Sequence, residues 1–317
     1  MTEPKLSFVV PLFNEAESFA SLIERLNDVL ANTLVSIEIV LVDDGSSDNT
    51  AILMQEVALI NGNYNCIFLA RNYGHPIALT AGLANARATE AVMIIDGDLQ
   101  DPPELLTKFY DYYKQGYDVV YGIRKKRKEN FIKKMAYHSF YRLLKSISYI
   151  DMPLDTGDYS LISRRIIDIL NKMPEESRYI RGMRSWVGFK QIGIEYEREQ
   201  RFAGTSKYSF KMLFQLAYNG IFNFSEFPIK FITNLGLLSV LISLLYLIQT
   251  IYKRIMDPTF PVGFTGLLFA IILFGGVQLI SLGVIGEYVL RIFFQVKGRP
   301  LFVVKSKIIN KQIEEKK

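Results

Sequence analysis

Two stretches near the carboxyl end constrain this chain more than anything else in it. Phe231 to Tyr252 and Val262 to Gly286 run for 22 and 25 residues without a charge. At about 1.5 Å per helical residue, 22 residues reach about 33 Å, enough to cross a hydrocarbon core. Pro258 and Pro261 mark a short turn between them. A buried core hairpin is the alternative, and two such runs in succession weigh against it. Half the residues are apolar and the mean hydropathy is +0.16, high for a soluble enzyme and low for a polytopic carrier. Two spans return the chain to the side it left. The tail carries Lys297, Arg299, Lys305, Lys307, Lys311, Lys316 and Lys317, against Lys253 and Arg254 in the connection. The excess predicts cytoplasmic chain ends and a short hairpin outside. Glu287 and Arg291, four apart, are expected to pair.

The amino-terminal half follows a different pattern. Leu6 to Pro11, Ile37 to Val42, Asn65 to Ala70, Ala91 to Ile95 and Asp118 to Gly122 are short apolar runs that read as strands. Helices are expected between them, one from about Ala16 to Ala31 and one of small residues near Ile77 to Ala88, with Asp48 or Ser47 capping the helix after the second strand. Strand alternating with helix predicts an α/β fold with a mostly parallel sheet. Ligands of such sheets bind beyond the carboxyl ends of the strands. Asn14-Glu15, Asp43-Asp44, Arg71-Asn72, Asp96-Gly97-Asp98 and Arg124 all follow strand ends. Carboxylates mixed with arginines suit a nucleotide and its metal-bound phosphates. Neither G-x-G-x-x-G nor G-x-x-x-x-G-K occurs here, which disfavours a dehydrogenase or P-loop enzyme. Asp96 and Asp98 flank a glycine, a cradle for a hard divalent cation or a solvated turn. Pro102-Pro103 opens the next helix.

The middle of the chain is less regular. Phe131 to Ile147 is an aromatic, basic helix that packs on the sheet or touches lipid. Asp155-Thr156-Gly157-Asp158-Tyr159 reads as a loop, its acids either helix-capping or a catalytic pair. A helix is expected from about Arg164, and Arg178, Arg181 and Arg184 form a basic stripe on another. Ile192 to Tyr196 alternates like a strand. Arg198, Arg201, Gly204, Ser206, Lys207 and Tyr208 form a basic loop suited to an anionic head group, or simply a solvated one. Phe210 to Ile229 is amphipathic and aromatic, the composition of an interfacial helix or a core helix.

Composition narrows the classes. The net charge of +5 suits lipid head groups or phosphates and does not demand nucleic acid. The single cysteine, Cys66, excludes an intramolecular disulfide and fits a reducing compartment. Two histidines, His75 and His138, argue against a His-based zinc site. Leu6 to Phe13 is too short, and too soon broken by Pro11, for a signal peptide.

Seven motifs in order carry a resemblance. VVPLFNE (Val9 to Glu15), LVDDGSSDNT (Leu41 to Thr50), ARNYGH (Ala70 to His75), IDGDLQDPP (Ile95 to Pro103), DTGDY (Asp155 to Tyr159), GTSKYS (Gly204 to Ser209) and IGEYVLRIFFQVKGRP (Ile285 to Pro300) resemble those of family 2 glycosyltransferases of the polyprenyl-phosphate hexosyltransferase kind. These include dolichol-phosphate mannose synthase and undecaprenyl-phosphate glucosyltransferases. Pro76 and Ser160 depart from the pattern.

The resemblance implies a GT-A fold, a nucleotide-sugar donor, Mg2+ or Mn2+, a polyprenyl-phosphate acceptor and inversion. By motif, Pro11, Asn14, Glu15 and Asp43 would hold the nucleoside, with Asp44 and Arg71 nearby. Asp96, Asp98 and Gln100 would hold the metal and diphosphate, Arg124 would meet a phosphate, and Arg201, Ser206 and Lys207 would receive the acceptor phosphate. Asp155 ranks before Asp158 as the catalytic carboxylate because the motif opens on it. UDP-glucose is the expected donor, with UDP-GlcNAc, GDP-mannose or an aminoarabinose donor as alternatives. The implied organisation is a cytoplasmic catalytic domain at residues 1–209, interfacial helices at 210–230, a transmembrane hairpin at 231–294 and a basic tail at 295–317, in a multi-pass protein of the inner membrane. Similar proteins form tetramers through their membrane regions. A processive polysaccharide synthase would need more spans and a Gln-x-x-Arg-Trp motif, whereas the one tryptophan, Trp186, follows Arg184-Ser185. A non-catalytic nucleotide-sugar-binding accessory protein is the remaining rival.

Overall fold

The computed structural model describes residues 3–125, 156–176, 178–197, 222, 225, 227–256 and 263–315. The chain divides into two compact units, one of Met1–Arg142, Ile150–Leu213 and Arg299–Lys317, the other of Leu143–Tyr149 and Phe214–Gly298.

In the first unit the expected strands form β1 (Leu6–Leu12), β2 (Ile37–Asp43), β3 (Tyr64–Leu69), β4 (Ala91–Ile94) and β5 (Val119–Lys125). Every residue of β1 to β4 is buried, as a parallel sheet covered on both faces requires. Three further strands were not expected: β6 (Thr156–Ser163), β8 (Val304–Ile309) and β9 (Gln312–Glu315); β7 (Gln191–Glu197) was. Among the described residues the strand order is β7-β5-β6-β4-β1-β2-β3-β8-β9. Only β6 and β8 run against the rest, so the sheet is mixed and mostly parallel.

Helices cover both faces. Leu6, Phe8, Val10 and Leu12 point into a core with Phe19, Leu22 and Leu26 of α1 (Ala16–Asn32), Met54 of α2 (Thr50–Ile60) and Phe109 of α4 (Leu106–Lys114). Val9, one residue out of phase, faces α3 (His75–Asn85). A Cβ at Gly82 of α3 would lie 2.3 Å from Val9 Cγ1, so the glycine sets how closely that helix approaches. The helix expected at Pro102-Pro103 begins as a 3-10 turn, Pro103–Leu105, before α4. α5 (Arg164–Lys172) and α6 (Ile180–Val187) follow β6.

The last residues, expected only as a basic tail, close the sheet. β8 pairs antiparallel with β3, covering what would be an open edge. It turns into β9 through Asn310 and Lys311, both with positive φ, the conformation of a two-residue hairpin turn. A buried carboxylate ties this corner together. Glu38 Oε1 accepts from Ser7 Oγ (2.7 Å) and the Arg87 amide, and Oε2 accepts from Asn65 Nδ2 and Arg87 Nε (2.9 Å each). Asn65 Oδ1 in turn accepts the Asn310 amide (3.1 Å).

The second unit contains α7 (Phe227–Met256) and α8 (Phe264–Lys297), each longer than the corresponding uncharged run. Both are long and apolar enough to cross a membrane, and their apolar side chains are exposed along their length. Glu287 and Arg291 pair as expected (2.9 Å), and the Arg291 guanidinium also lies over the Phe222 ring. Of the expected interfacial segment, Phe222, Ser225 and 227–229 are described, and the Phe222 ring packs at a tilt against that of Tyr288, with centroids 5.4 Å apart. The helix expected at Phe131 to Ile147 and the turn prolines lie outside the described residues.

Removing the Glu38 carboxylate strands four donors in a buried corner. Glu38→Ala is expected to lower the unfolding free energy by about 3 kcal/mol. Denaturant unfolding of the detergent-solubilised protein measures this, and a loss below about 1 kcal/mol would contradict the network's role.

Candidate active site

The polar clusters expected beyond the strands lie at one edge of the sheet. β1 to β5 run in the same direction, so the residues that follow them, and Arg124 near the end of β5, share their carboxyl edge. β6 runs the other way, so its first residues reach that same edge. This corrects the expectation of a loop at Asp158, which lies within a strand. Its partner β4 pairs Ile94 with Ser160. Two residues beyond that last pair stand Asp96 and Asp158, both within 4 Å of one nitrogen of His75.

The loops after β1 and β2 are laced together. The Asn14 amide donates to Ser46 Oγ (3.0 Å) and its side-chain carbonyl accepts the Ser47 amide (2.8 Å). The Glu15 amide donates to Thr50 Oγ1 (2.9 Å), and Glu15 Oε2 accepts from Ser18 Oγ (3.0 Å). Asp48 accepts the amides of Thr50 and Ala16 (3.0 and 3.2 Å), holding the starts of α2 and α1 together. Pro11 lies one residue from the end of β1, and Asp43, at the end of β2, accepts the Ser46 amide. Asp44, expected near the nucleoside, is anchored by backbone: Oδ1 accepts the Tyr73 amide (2.7 Å) and Oδ2 the Gly74 amide (2.9 Å). Burial raises its pKa, and those two bonds oppose the rise. Gly45 beside it has φ +69°, and a Cβ there would lie 2.6 Å from the backbone of Arg71 and Asn72. Asp44 and Gly45 thus bind the loops after β2 and β3 into one wall. Arg71 is exposed, its guanidinium 4.0 Å over the Tyr73 ring.

The Asp96-Gly97-Asp98 turn is fixed from below. A Cβ on Gly97 would collide with Leu12 Cδ2 at 2.3 Å. Leu99 has φ +60°, unusual for a branched residue. Its side chain is buried in the core and its carbonyl accepts from Arg25 Nη1 (3.3 Å), itself forked on Glu104. Those contacts impose a backbone strain of order 1 kcal/mol or more, and the buried Leu99 anchor fixes Asp98 and Gln100 on either side of it. The Gln100 amide donates to Asp98 Oδ1 (3.2 Å), and Asp98 is 8% exposed. Among the described residues no group of three or more His, Cys, Asp or Glu side chains is arranged to hold a metal alone. Two carboxylates with an amide beside them fit a magnesium-like cation that takes its other ligands from substrate phosphates and water.

Two residues at this edge were not among the expected site residues. His75, at the start of α3, has Nε2 3.6 Å from Asp96 Oδ1 and 3.8 Å from Asp158 Oδ2. Burial opposes its charge, but Asp158 and Asp96 outweigh that and lift its pKa to about 9. Arg181 of α6 grips Asp158 with two parallel bonds, Nε to Oδ1 (3.0 Å) and Nη2 to Oδ2 (3.1 Å). Burial would raise the pKa of Asp158, yet Arg181 and His75 together hold it well below the usual carboxylate range. Only the ARNYGH motif and the arginine spacing hinted at these residues. The expected helical stripe of arginines is three separate inward arrangements. Arg178 precedes α6 and donates to the Leu170 and Met173 carbonyls that end α5. Arg184 is 1% exposed, lies over the Tyr121 ring (5.3 Å), and finds no hydrogen-bond acceptor among the described residues. Burial pushes its pKa down to about 10.

Arg124 Nε donates to Tyr196 Oη (3.4 Å), and Tyr196 in turn donates to Asp101. Burial works against the Arg124 charge, but Asp101 and Tyr196 overcome it and raise its pKa. Gly157 leaves room for this guanidinium, since a Cβ there would sit 2.9 Å from an Arg124 nitrogen. Pro76, one of the departures, occupies the first turn of α3, where proline fits. Ser160 is buried, donating to the Asp158 carbonyl (2.8 Å). Asp155, Arg201, Ser206 and Lys207 lie outside the described residues.

Comparison with known proteins adds the following. Residues 7–170 match the family model described as glycosyl transferase family 2. The chain is 40% identical over 301 residues to the uncharacterized glycosyltransferase YkcC of Bacillus subtilis, covering 95% of this chain and 93% of that protein. It is 35% identical over 303 residues to the SfII prophage-derived bactoprenol glucosyl transferase of Shigella flexneri, covering 95% and 98%. The bactoprenol glucosyl transferase of Shigella phage SfX is 35% identical over 304 residues, covering 96% and 99%.

The Asp158–Arg181 fork makes a pH-dependent prediction. Because the folded pKa of Asp158 is depressed, its contribution to stability is present above the unfolded value and is lost as pH falls through the folded one. Arg181→Leu leaves a buried carboxylate with a weaker partner and is expected to cost about 3 kcal/mol near neutral pH. Its Asp158 protonates more readily, so the deficit should narrow as pH falls from about 7 to about 4. Unfolding curves of both proteins across that range test this. A deficit that stays constant or widens would contradict it.

Proposed function

The chain belongs to glycosyl transferase family 2, and from that premise we propose that it transfers glucose from UDP-glucose to the phosphate of polyprenyl (undecaprenyl) phosphate, with inversion. The observation that carries this reading is the convergence of Asp96, Asp98 and Asp158 at one sheet edge in a chain that also bears two helices long and apolar enough to cross a membrane. The relatives named bactoprenol glucosyl transferase support glucose as the sugar and a polyprenol as the carrier.

The physical problem is charge. The departing nucleoside diphosphate gains negative charge as the glycosidic bond breaks. Asp96 and Asp98, beside Gln100, would hold a divalent cation, Mg2+ or Mn2+, which would supply Lewis-acid neutralisation of that charge. Asn14, Glu15 and Asp43, on the laced loops after β1 and β2, line the nucleoside side with Pro11, and Arg71 closes it. Asp44 serves this pocket by holding its wall. Arg124 faces the diphosphate as a fixed cation. The acceptor is a phosphate monoester whose second pKa is about 6, so it is largely dianionic near neutral pH and needs little help from a base. Bringing two anions together is the harder task, and Arg201, Ser206 and Lys207 screen and position the acceptor. Asp158, the described carboxylate of the DTGDY motif, we assign to holding Arg181 and His75 at this edge, its oxygens forked by the guanidinium and its Oδ2 3.8 Å from His75. It stays ionised as the fixed acceptor of the Arg181 hydrogen bonds, and Asp155, which opens the motif, stays our candidate for the catalytic carboxylate.

The helices α7 and α8 tether this chemistry to the membrane that holds the lipid. The basic residues after α8 favour a cytoplasmic catalytic unit with both chain ends on that side. β8 and β9 follow α8 and join the sheet, so cutting the chain after residue 229 would strip both strands as well as the tether.

Transfer to polyprenyl phosphate in membranes, with labelled UDP-glucose, UDP-GlcNAc, GDP-mannose and an aminoarabinose donor in parallel, tests the reading. A lipid-linked monosaccharide from UDP-glucose is expected. Asp98→Asn should lower its formation at least about a hundredfold while the protein still folds. A polymer would point to a processive synthase, and no product from any donor to a non-catalytic protein.

A further inference from the structure

We propose that His75 is a positioning residue that joins the donor and acceptor sides of the site, presenting Nε2 between the carboxylates of Asp96 and Asp158. The inference rests on the reading of Asp96 and Asp98 as the cation-binding pair.

The β4–β6 pairing ends with Ile94 opposite Ser160, and two residues beyond on each chain stand Asp96 and Asp158. Like charges brought this close repel. Arg181 grips Asp158 from the α6 side. His75 reaches both acids with one nitrogen, at 3.6 Å from Asp96 and 3.8 Å from Asp158. Both distances exceed a full hydrogen bond, so a shift of a few tenths of an ångström completes either contact.

The backbone of His75 is fixed on both sides. Gly74 before it has φ +93° and its amide is held by Asp44 Oδ2; its carbonyl accepts the amides of Ile77 and Ala78. Pro76 after it stiffens the first turn. Within that fixed backbone the ring nitrogen lies within 4 Å of both carboxylates. A ligating carboxylate needs an outer partner to fix its orientation, and losing such a partner typically weakens metal binding about 10–100-fold. His75 is that partner for Asp96, and by the same nitrogen it fixes where Asp158 stands relative to the donor.

The test uses the full-length protein in detergent, with His75→Ala, His75→Gln and Asp98→Asn. Calorimetry measures Mn2+ binding in the presence of UDP, and transfer from UDP-glucose to polyprenyl phosphate gives kcat and KM. His75→Ala is expected to weaken Mn2+ binding about tenfold or more and to lower kcat while leaving the KM for polyprenyl phosphate within about twofold. His75→Gln, which restores one N–H donor at similar reach, should recover part of both losses and guards against a folding defect in the alanine variant. Native Mn2+ binding, or native kcat, in His75→Ala would overturn the proposal. Native Mn2+ binding in Asp98→Asn would instead overturn the assignment of the cation pair.

Discussion

The pairing of β6 against β4 is the contact on which the site depends. A parallel sheet covered on both faces leaves polar groups little room except at its ends, and β1 to β5 send theirs to one edge. β6 enters that sheet backwards, so its beginning, rather than its end, reaches the same edge. The register then decides which residue faces Asp96. A slip of one position would turn Asp158 to the other face and offer Gly157 or Tyr159 instead. Tyr159 already has its own place on the opposite face, between Phe109 and Tyr196 with its hydroxyl on the Pro102 carbonyl. That packing holds the register, and the register holds the carboxylates.

The electrostatics follow from this crowding. Acids from β2, β4 and β6 meet at one edge, and each is answered differently. Asp44 is answered by two backbone amides and so becomes part of the wall. Asp158 is answered by a guanidinium fork and by His75. Asp96 and Asp98 stand where a phosphate-bearing cation would complete them. The proposed transfer, which would move negative charge from one phosphate to another, suits an edge whose carboxylates are held in such different ways.

Much of this was legible in the residues. β1 to β4 are continuous apolar runs, because a strand buried on both faces has no polar side to show. The polar clusters after them could be assigned to one edge by topology alone. β6 was not legible, since Thr156-Gly157-Asp158-Tyr159-Ser160 carries the composition of a turn and is made a strand by partners far away in sequence. β8 was hidden by Lys305, Ser306 and Lys307, β9 by a mostly polar composition (Gln312-Ile313-Glu314-Glu315), and their turn has Lys311 where glycine would have announced it. The arginine stripe had the right spacing for a helix face. The direction it faces depends on Asp158, Tyr121 and the end of α5, which no local pattern reveals. His75 was one residue of a motif until the fold brought two carboxylates to it.

The central claim is that the nucleotide-sugar binds at the carboxyl edge, against the loops after β1, β2 and β4. Photolabelling the full-length protein with an azido-UDP-glucose probe and mapping the labelled peptides by mass spectrometry tests it most directly. Label on the peptides that carry Asn14, Asp43 and Asp98, displaced by unlabelled UDP-glucose, is the predicted result. Displaceable label confined to peptides from the opposite edge of the sheet, such as those around Trp186 and Phe189, would contradict it.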